Sequence, residues 1–123
     1  MHCTKPVPWN NTDATYALRE MGKHPALSLA YKVHATQRLS ERGIIVSDVL
    51  HLIRTGFVYE DAAPSKNSGY YKYKMEGLTP NSGGRKICAI LIPNSDAMTI
   101  KVVTVFWVDE VAQRAGTIVE DMS

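Results

Sequence analysis

The stretch Arg85–Val108, which reads RKICAILIPNSDAMTIKVVTVFWV, decides the fold class of this chain. It contains two runs rich in β-branched and apolar residues, separated by the turn sequence PNSD at 93–96. Runs of this kind, bounded by turn residues, predict two antiparallel strands. The second run, Met98–Val108, is nearly apolar on both faces, and strict alternation places Lys101 and Trp107 on the same side of it.

Further strands are expected on the N-terminal side of this hairpin. Residues 70–76 alternate with period two, which puts Tyr71, Tyr73 and Met75 on a buried face and Tyr70, Lys72, Lys74 and Glu76 on a solvent-facing one. The loop 77–84, with its Pro, Asn and Gly residues, connects this strand to the next. Phe57–Asp61 predicts another strand, and the polar segment 62–69 predicts a flexible connection.

The first half of the chain reads as helices. A short helix is expected at 14–21, a second from 26 to 42 that ends at Gly43, and a third from 48 to 55 that ends at Gly56. The predicted fold class is therefore α+β, with two to three N-terminal helices on one face of a three- to four-stranded antiparallel sheet. We divide the chain into an N-terminal extension (1–25), an α+β domain (26–108) and an acidic tail (109–123).

Composition excludes several classes of protein. With 123 residues, 45% hydrophobic and 21% charged, the chain has the composition of one folded domain and not of a disordered protein. No apolar run approaches the roughly 20 residues of a membrane span, and no signal peptide is apparent, so we expect a cytoplasmic protein without a membrane partner. Residues 1–108 carry 13 Lys and Arg against 8 Asp and Glu, whereas residues 109–123 carry 1 against 4, so the body is basic.

Three side chains of the second predicted helix form the first candidate site. His34, Arg38 and Arg42 follow one another at intervals of four residues, so they lie on one ridge of a helix. Two guanidinium groups suit a phosphate, and an imidazole exchanges protons near neutral pH. The alternative is structural: Arg38 pairs with Glu41 or Asp48 at the surface, and the ridge is solvated.

The solvent-facing side of the predicted sheet is the second candidate site. Basic and aromatic side chains alternate there, a combination that binds the phosphates and stacks the bases of single-stranded nucleic acid. The alternative is a sheet face whose lysines only discourage edge pairing. The candidate RNA-binding residues are Tyr70, Tyr71, Lys72, Lys74, Arg85 (or Lys86 in its place), Lys101 and Trp107.

No cofactor or metal is expected from the sequence. Its histidines are scattered, and no pair of His, Cys or carboxylate residues has the spacing of metal ligands. A strand-to-helix turn rich in glycine, which would bind a nucleotide, is also missing. Cys88 lies within an apolar run and is expected to be a small core residue.

The stretch His34–Ile44, HATQRLSERGI, followed by SDVL at 47–50, resembles a small bacterial domain family of unknown function. The resemblance extends over roughly residues 31–108 and includes the final valine-rich strand. Relatives of that family resemble the RelE and MqsR toxins, which are encoded beside antitoxins. The resemblance implies a RelE-like fold, metal-independent cleavage of mRNA, either free or associated with the ribosome, and a cognate antitoxin as partner.

Our leading expectation is accordingly a toxin-like endoribonuclease of a toxin–antitoxin system. In it, His34 carries the proton and Arg38 and Arg42 hold the phosphate. The second hypothesis is a non-catalytic module that binds RNA through the same basic surface, and the third is a module whose sheet or first helix binds a protein.

Overall fold

A computed structural model describes residues 8–67 and 69–113 of the chain. The fold is α+β, and its elements follow one another in the order α, β, α, α, five strands and α. The helices are α1 (Asn11–Lys23), α2 (Val33–Arg42), α3 (Val46–Thr55) and α4 (Val108–Gln113). The strands are β1 (Ser28–Tyr31), β2 (Phe57–Val58), β3 (Ala63–Pro64), β4 (Tyr71–Gly77), β5 (Ile87–Asn94) and β6 (Thr99–Trp107).

The sheet is mixed, with strand order β1-β6-β5-β4-β2 and with β3 also paired to β4. Strands β4, β5 and β6 are antiparallel neighbours, as the short connections predicted. The expectation of a purely antiparallel sheet of three to four strands is wrong, because β1 pairs with β6 in parallel and β2 and β3 add to the other edge.

Strand β1 lies where the sequence predicted the start of a helix. Its residues alternate, with Leu29 and Tyr31 packed against the core and Ser28 and Ala30 exposed. Alanine and leucine favour helix, but pairing with β6 outweighs this propensity of a short segment. Helix α2 therefore begins at Val33 and not at residue 26.

The end of α2 agrees with the sequence-based expectation. Gly43 has φ 68°, in the left-handed region that an L side chain rarely adopts. The N–H of Gly43 donates to the Ser40 carbonyl at 3.4 Å, and that of Ile44 to the Leu39 carbonyl at 3.0 Å. Ile44 is buried in the core, so the glycine stop and its hydrophobic contact are both confirmed.

Helices α1, α2 and α3 cover one face of the sheet, here called the helix face. Their buried residues form one cluster with those of β4, β5 and β6, including Leu18 of α1, Leu52 of α3 and Met75 of β4. Helix α1 was predicted within an N-terminal extension, but it belongs to this core, since Ala14 and Leu18 are fully buried. The rest of that extension up to residue 7, and the acidic tail from residue 114, lie outside the described residues.

A bulge in β6 decides which side chains face the helices. Leu91 of β5 pairs with Val102 and Ile90 pairs with Thr104, so Val103 is an extra residue. The alternation of β6 changes phase at this residue. As a result, Trp107 lies on the helix face, whereas strict alternation had placed it with Lys101.

The opposite face of the sheet, here called the lysine face, combines a small apolar cluster with a row of lysines. Cys88, Ile90, Val103 and Phe106 are buried in this second cluster. The expectation that Cys88 is a core residue is confirmed, since its exposure is 1%. Lys72 of β4 and Lys101 of β6, each near the N-terminal end of its strand, lie at one end of this face.

Candidate nucleic-acid interface

Register places two lysines of the central strands in line on the lysine face. Lys101 of β6 is paired with Ile92 of β5. Continuing the pairing of Tyr73 with Leu91 by one residue puts Lys72 of β4 beside the same Ile92. Lys72 and Lys101 therefore flank Ile92 from either side, and both side chains are half-buried.

Two further lysines come from outside the central strands. Lys101 also pairs with Ala30 of β1, and Lys32 continues the alternation of that strand on the same face. The N–H of Lys32 donates to the Val102 carbonyl at 3.1 Å, which holds the start of α2 against β6. Lys66 lies in the tight turn between β3 and β4, which is closed by a bond from the Ser65 N–H to the Tyr70 carbonyl at 2.9 Å.

These four lysines surround one cavity, here called the lysine pocket, of about 210 Å³. Its described lining consists of Lys32, Ser65, Lys66, Asn67, Lys72, Ile92 and Lys101, and none of these residues is acidic. Ligand sites for drug-sized molecules are larger, at about 300–1,000 Å³. The lysine pocket is thus suited to a small anion such as one phosphate group.

The lysine ammonium groups repel one another. The pKa of Lys32 is lowered by burial and, in addition, by the positive charges of Lys101, Lys66 and Lys72. A bound anion would relieve this repulsion, because an opposite charge favours the protonated amine. The pocket is therefore electrostatically prepared for an anion before one arrives.

The predicted ridge of His34, Arg38 and Arg42 does not line this pocket. His34 is exposed in the first turn of α2, and Arg38 lies 3.4 Å from the Glu41 carboxylate, as the structural alternative proposed. Nη1 of Arg42 donates to the Val105 carbonyl at 2.6 Å. Arg42 therefore binds the backbone of β6 at its β1-side edge, beyond Val102, which is the last residue of β6 that pairs with β1.

The seven candidate RNA-binding residues divide into groups. Lys72 and Lys101 line the lysine pocket, as the alternation predicted for a solvent-facing row. Lys74 lies on the same face but pairs with the Glu60 carboxylate at 3.5 Å. Arg85 donates two hydrogen bonds to Asp109, at 2.9 and 2.8 Å, and is thereby engaged in an acidic contact.

The three aromatic candidates do not form the predicted stacking surface. Trp107 is only 7% exposed on the helix face, and its Nε1 donates to the Arg42 carbonyl at 2.9 Å. Tyr71 packs against the main core, on the face opposite to Lys72. Tyr70 is exposed and precedes β4 at the base of the turn that carries Lys66. Trp107 was predicted on the solvent-facing side because strict alternation does not include the bulge at Val103.

Sequence reasoning missed Lys32 and Lys66. Lys32 was assigned to a helix that the structure replaces in part by β1, and Lys66 was assigned to a flexible connection. A period-two reading of residues 27–31 would have placed Lys32 on the side of Ala30. For Lys66 the sequence offers no comparable signal, since a turn residue has no fixed face.

The described residues were compared with the requirements of a metal site and of a membrane-spanning helix. Among them, no group of three or more His, Cys, Asp or Glu side chains is placed to hold a metal ion. In the same part of the chain, every helix is too short or too polar to cross a bilayer.

Comparison with known proteins assigns this chain to a family. No curated protein and no solved structure matches it. A family model described as "Domain of unknown function (DUF4258)" matches residues 31–107, a range that includes all four pocket lysines and excludes α1 and α4. With more than half of its length matched, the chain belongs to the DUF4258 family.

Proposed function

We propose that this protein binds RNA, and that the lysine pocket holds a phosphate of the RNA backbone. The observation that carries the proposal is the convergence of four lysines from separate elements on one cavity, whose described lining includes no acidic residue. Folding does not favour such an arrangement, because burial and the like charges of three neighbouring lysines lower the pKa of Lys32. Residues that act against the stability of the fold in this way are typical of binding sites.

Two further features favour RNA over a free anion. The pocket lies on a sheet face of residues 1–108, which carry 13 Lys and Arg against 8 Asp and Glu, so a long polyanion is attracted as well as a single phosphate. The sequence also resembles families related to the RelE and MqsR toxins, whose substrate is mRNA. Both features are explained if the anion in the pocket is a phosphate of an RNA backbone.

The test is the affinity for a single-stranded RNA of about ten nucleotides, measured by fluorescence anisotropy at several salt concentrations. We expect Lys101→Gln and Lys66→Gln each to weaken binding about tenfold and to reduce the salt dependence by about one counterion. The matched control is Lys23→Gln, which removes the same charge from an exposed pair with Glu20 on α1. Equal affinities of the Lys101→Gln and Lys23→Gln variants would contradict the proposal.

A second candidate function is metal-independent cleavage of the bound RNA, as in a RelE-like toxin. One observation favours it: burial and the charges of Lys101, Lys66 and Lys72 lower the pKa of Lys32, so its amine is neutral in a larger fraction of molecules than that of an ordinary lysine. In that fraction the other three lysines of the pocket still hold the phosphate. A neutral amine beside ammonium groups can act as a general base next to phosphate-stabilising charges. Such a toxin would have a cognate antitoxin as its protein partner.

The proposed cleavage step uses groups of the pocket only. The Lys32 amine takes the proton of an RNA 2′-hydroxyl, and the 2′-oxygen attacks the neighbouring phosphorus. The bond from phosphorus to the 5′-oxygen breaks, and that oxygen receives a proton from another lysine of the pocket. The products are a 2′,3′-cyclic phosphate and a 5′-hydroxyl.

Cleavage is tested by incubating RNA with the protein in EDTA and analysing the ends of the fragments. We expect cyclic phosphate ends with the unmodified protein and their loss with Lys32→Met. The His34→Ala variant tests whether the imidazole carries the proton, as the sequence predicted. His34 does not line the lysine pocket, so we expect this variant to cleave RNA like the unmodified protein. Intact RNA with the unmodified protein rejects the enzyme and leaves the binding proposal to its own test.

A further inference from the structure

Two exposed aromatic side chains lie at the β2 edge of the sheet. Phe57 and Tyr59, here called the aromatic pair, are 48% and 57% exposed. Their rings are stacked with centroids 6.0 Å apart. Large aromatic side chains are normally buried for much of their area, so a stacked pair left in solvent indicates a binding surface.

The aromatic pair is held in place by α1. The guanidinium of Arg19 lies 4.4 Å from the centre of the Phe57 ring. That guanidinium is itself fixed, since it donates to the carbonyls of Gly56 at 2.9 Å and Thr55 at 3.0 Å. A side chain that is fixed before binding loses less entropy when a ligand arrives.

The backbone at Tyr59, the residue after β2, is also held in place by α1. Nδ2 of Asn11, in the first turn of α1, donates to the Tyr59 carbonyl at 2.9 Å. Both Asn11 and Arg19 precede the family match at residue 31. The first helix of this chain thus positions a surface that the matched part of the sequence does not hold by itself.

Register relates the aromatic pair to the lysine pocket. Phe57 is paired with Glu76 of β4, which points to the same face as Lys72 and Lys74. Glu76 follows Lys72 at an offset of four residues along β4, a distance of about 13 Å along the strand. A short single strand of nucleic acid bridges this distance.

The two surfaces differ in charge in a way that suits a nucleotide chain. Around the aromatic pair the charges have both signs: Lys74 pairs with Glu60 at 3.5 Å, Lys86 lies 6.0 Å from the Tyr59 ring on the same side as Glu76, and the Arg19 guanidinium covers Phe57. The lysine pocket instead has four lysines, and none of the residues described in its lining is acidic. A neutral base fits the first surface and a phosphate fits the second.

We infer that the aromatic pair is a stacking platform for an unpaired base of a single-stranded RNA whose phosphate lies in the lysine pocket. The inference rests on the proposed RNA binding and names its substrate class. In a duplex the bases already stack on their neighbours, so only an unpaired base is free to stack on Tyr59. The protein therefore prefers single-stranded over double-stranded RNA.

The test compares Tyr59→Ala with Tyr59→Phe, which keeps the ring. Affinities are measured by anisotropy for a single-stranded RNA, for the same strand in a duplex, and for a strand with abasic positions. We expect Tyr59→Ala to weaken single-strand binding by about fivefold or more, as for one lost base stack, without changing the salt dependence. Tyr59→Phe and duplex binding should change little. Ile45→Ala, which shortens another half-exposed apolar side chain between α2 and α3, is the matched control.

The outcomes separate this inference from the function on which it rests. If Lys101→Gln weakens binding while Tyr59→Ala, or the abasic strand, binds as tightly as its reference, the platform is rejected and RNA binding stands. If the unmodified protein binds no RNA, both are rejected. If Tyr59→Ala abolishes binding of a partner protein and leaves RNA affinity unchanged, the aromatic pair is a protein interface and the inference is overturned.

Discussion

At Lys32, the pKa shift predicts a pH dependence of binding. Its pKa is lowered by burial and by three neighbouring lysines, and a bound phosphate would raise it again. RNA affinity should therefore fall as the pH rises through the lowered pKa of Lys32, at a lower pH than expected for an ordinary lysine. The measurement is anisotropy over a pH series, with Lys32→Arg as control, because a guanidinium stays charged over that range. Parallel pH profiles of the two proteins would contradict the role of Lys32.

The same shift has a defined sign for stability. The unfolded chain holds the Lys32 proton to a higher pH than the folded protein does, so the free energy of unfolding rises with pH between the two pKa values. A basic group with a lowered pKa thus penalises the fold at lower pH. An anion in the pocket removes that penalty.

Arg42 is expected to act on stability. Its Nη1 bonds to the Val105 carbonyl at 2.6 Å, on the part of β6 that β1 leaves uncovered. Arg42→Ala should lower the free energy of unfolding by about 1–3 kcal/mol, as for a lost charged hydrogen bond, in urea denaturation. Lys23→Ala, in an exposed ion pair, should lower it by about 0–1 kcal/mol. An Arg42→Ala protein of unchanged stability that has lost RNA cleavage would instead restore the sequence-based catalytic role.

At the scale of single elements, α4 is fastened to the sheet by Arg85. This guanidinium bonds to Asp109, lies 3.6 Å from Glu110 and covers the Trp107 ring at 4.1 Å. The hydrogen bond from Arg85 lowers the pKa of the Asp109 carboxyl. The contribution of this contact to stability is therefore present above the ordinary carboxyl pKa and is lost as the pH falls through the lowered one.

The contact between Arg85 and α4 predicts that replacing Arg85 changes the titration of the Asp109 carboxyl. In the Arg85→Gln protein, the Asp109 carboxyl should titrate in NMR spectra at a higher pH than in the unmodified protein, close to its ordinary value. The control is Lys23→Gln, which removes a charge from an exposed pair on α1 and should leave the Asp109 titration unchanged. An Asp109 midpoint that is the same in both proteins would show that Arg85 does not hold α4.

Local sequence signals were sufficient for most elements and failed where pairing decides the structure. The glycine stops of α2 and α3 and the alternation of β4 follow from residues close in sequence, and the structure has each of them. Strand β1 forms because it pairs with β6, and the short alternation of residues 28–31 does not identify that partner strand. The extra residue Val103 likewise depends on register with β5, so the face of Trp107 could not be predicted from alternation.

At the scale of the whole molecule, the lysine pocket is a product of topology. Its lysines come from the end of β1, the turn before β4, and strands β4 and β6, so they are far apart in sequence. Alternation predicted Lys72 and Lys101 as a row, because both lie on strands. Only the parallel addition of β1 and the fold of the 65–70 turn add Lys32 and Lys66. The helix ridge, visible in the sequence, faces elsewhere.

The most direct test of the lysine pocket is an NMR titration of the lysine side-chain signals with single-stranded RNA. Binding in the pocket predicts that the signals of Lys32, Lys66, Lys72 and Lys101 shift together and saturate at the same RNA concentration. The signal of Lys23, on the opposite side of the sheet, should stay in place. Equal shifts of Lys23 and the pocket lysines, or pocket signals that do not move while RNA is bound, would contradict the account.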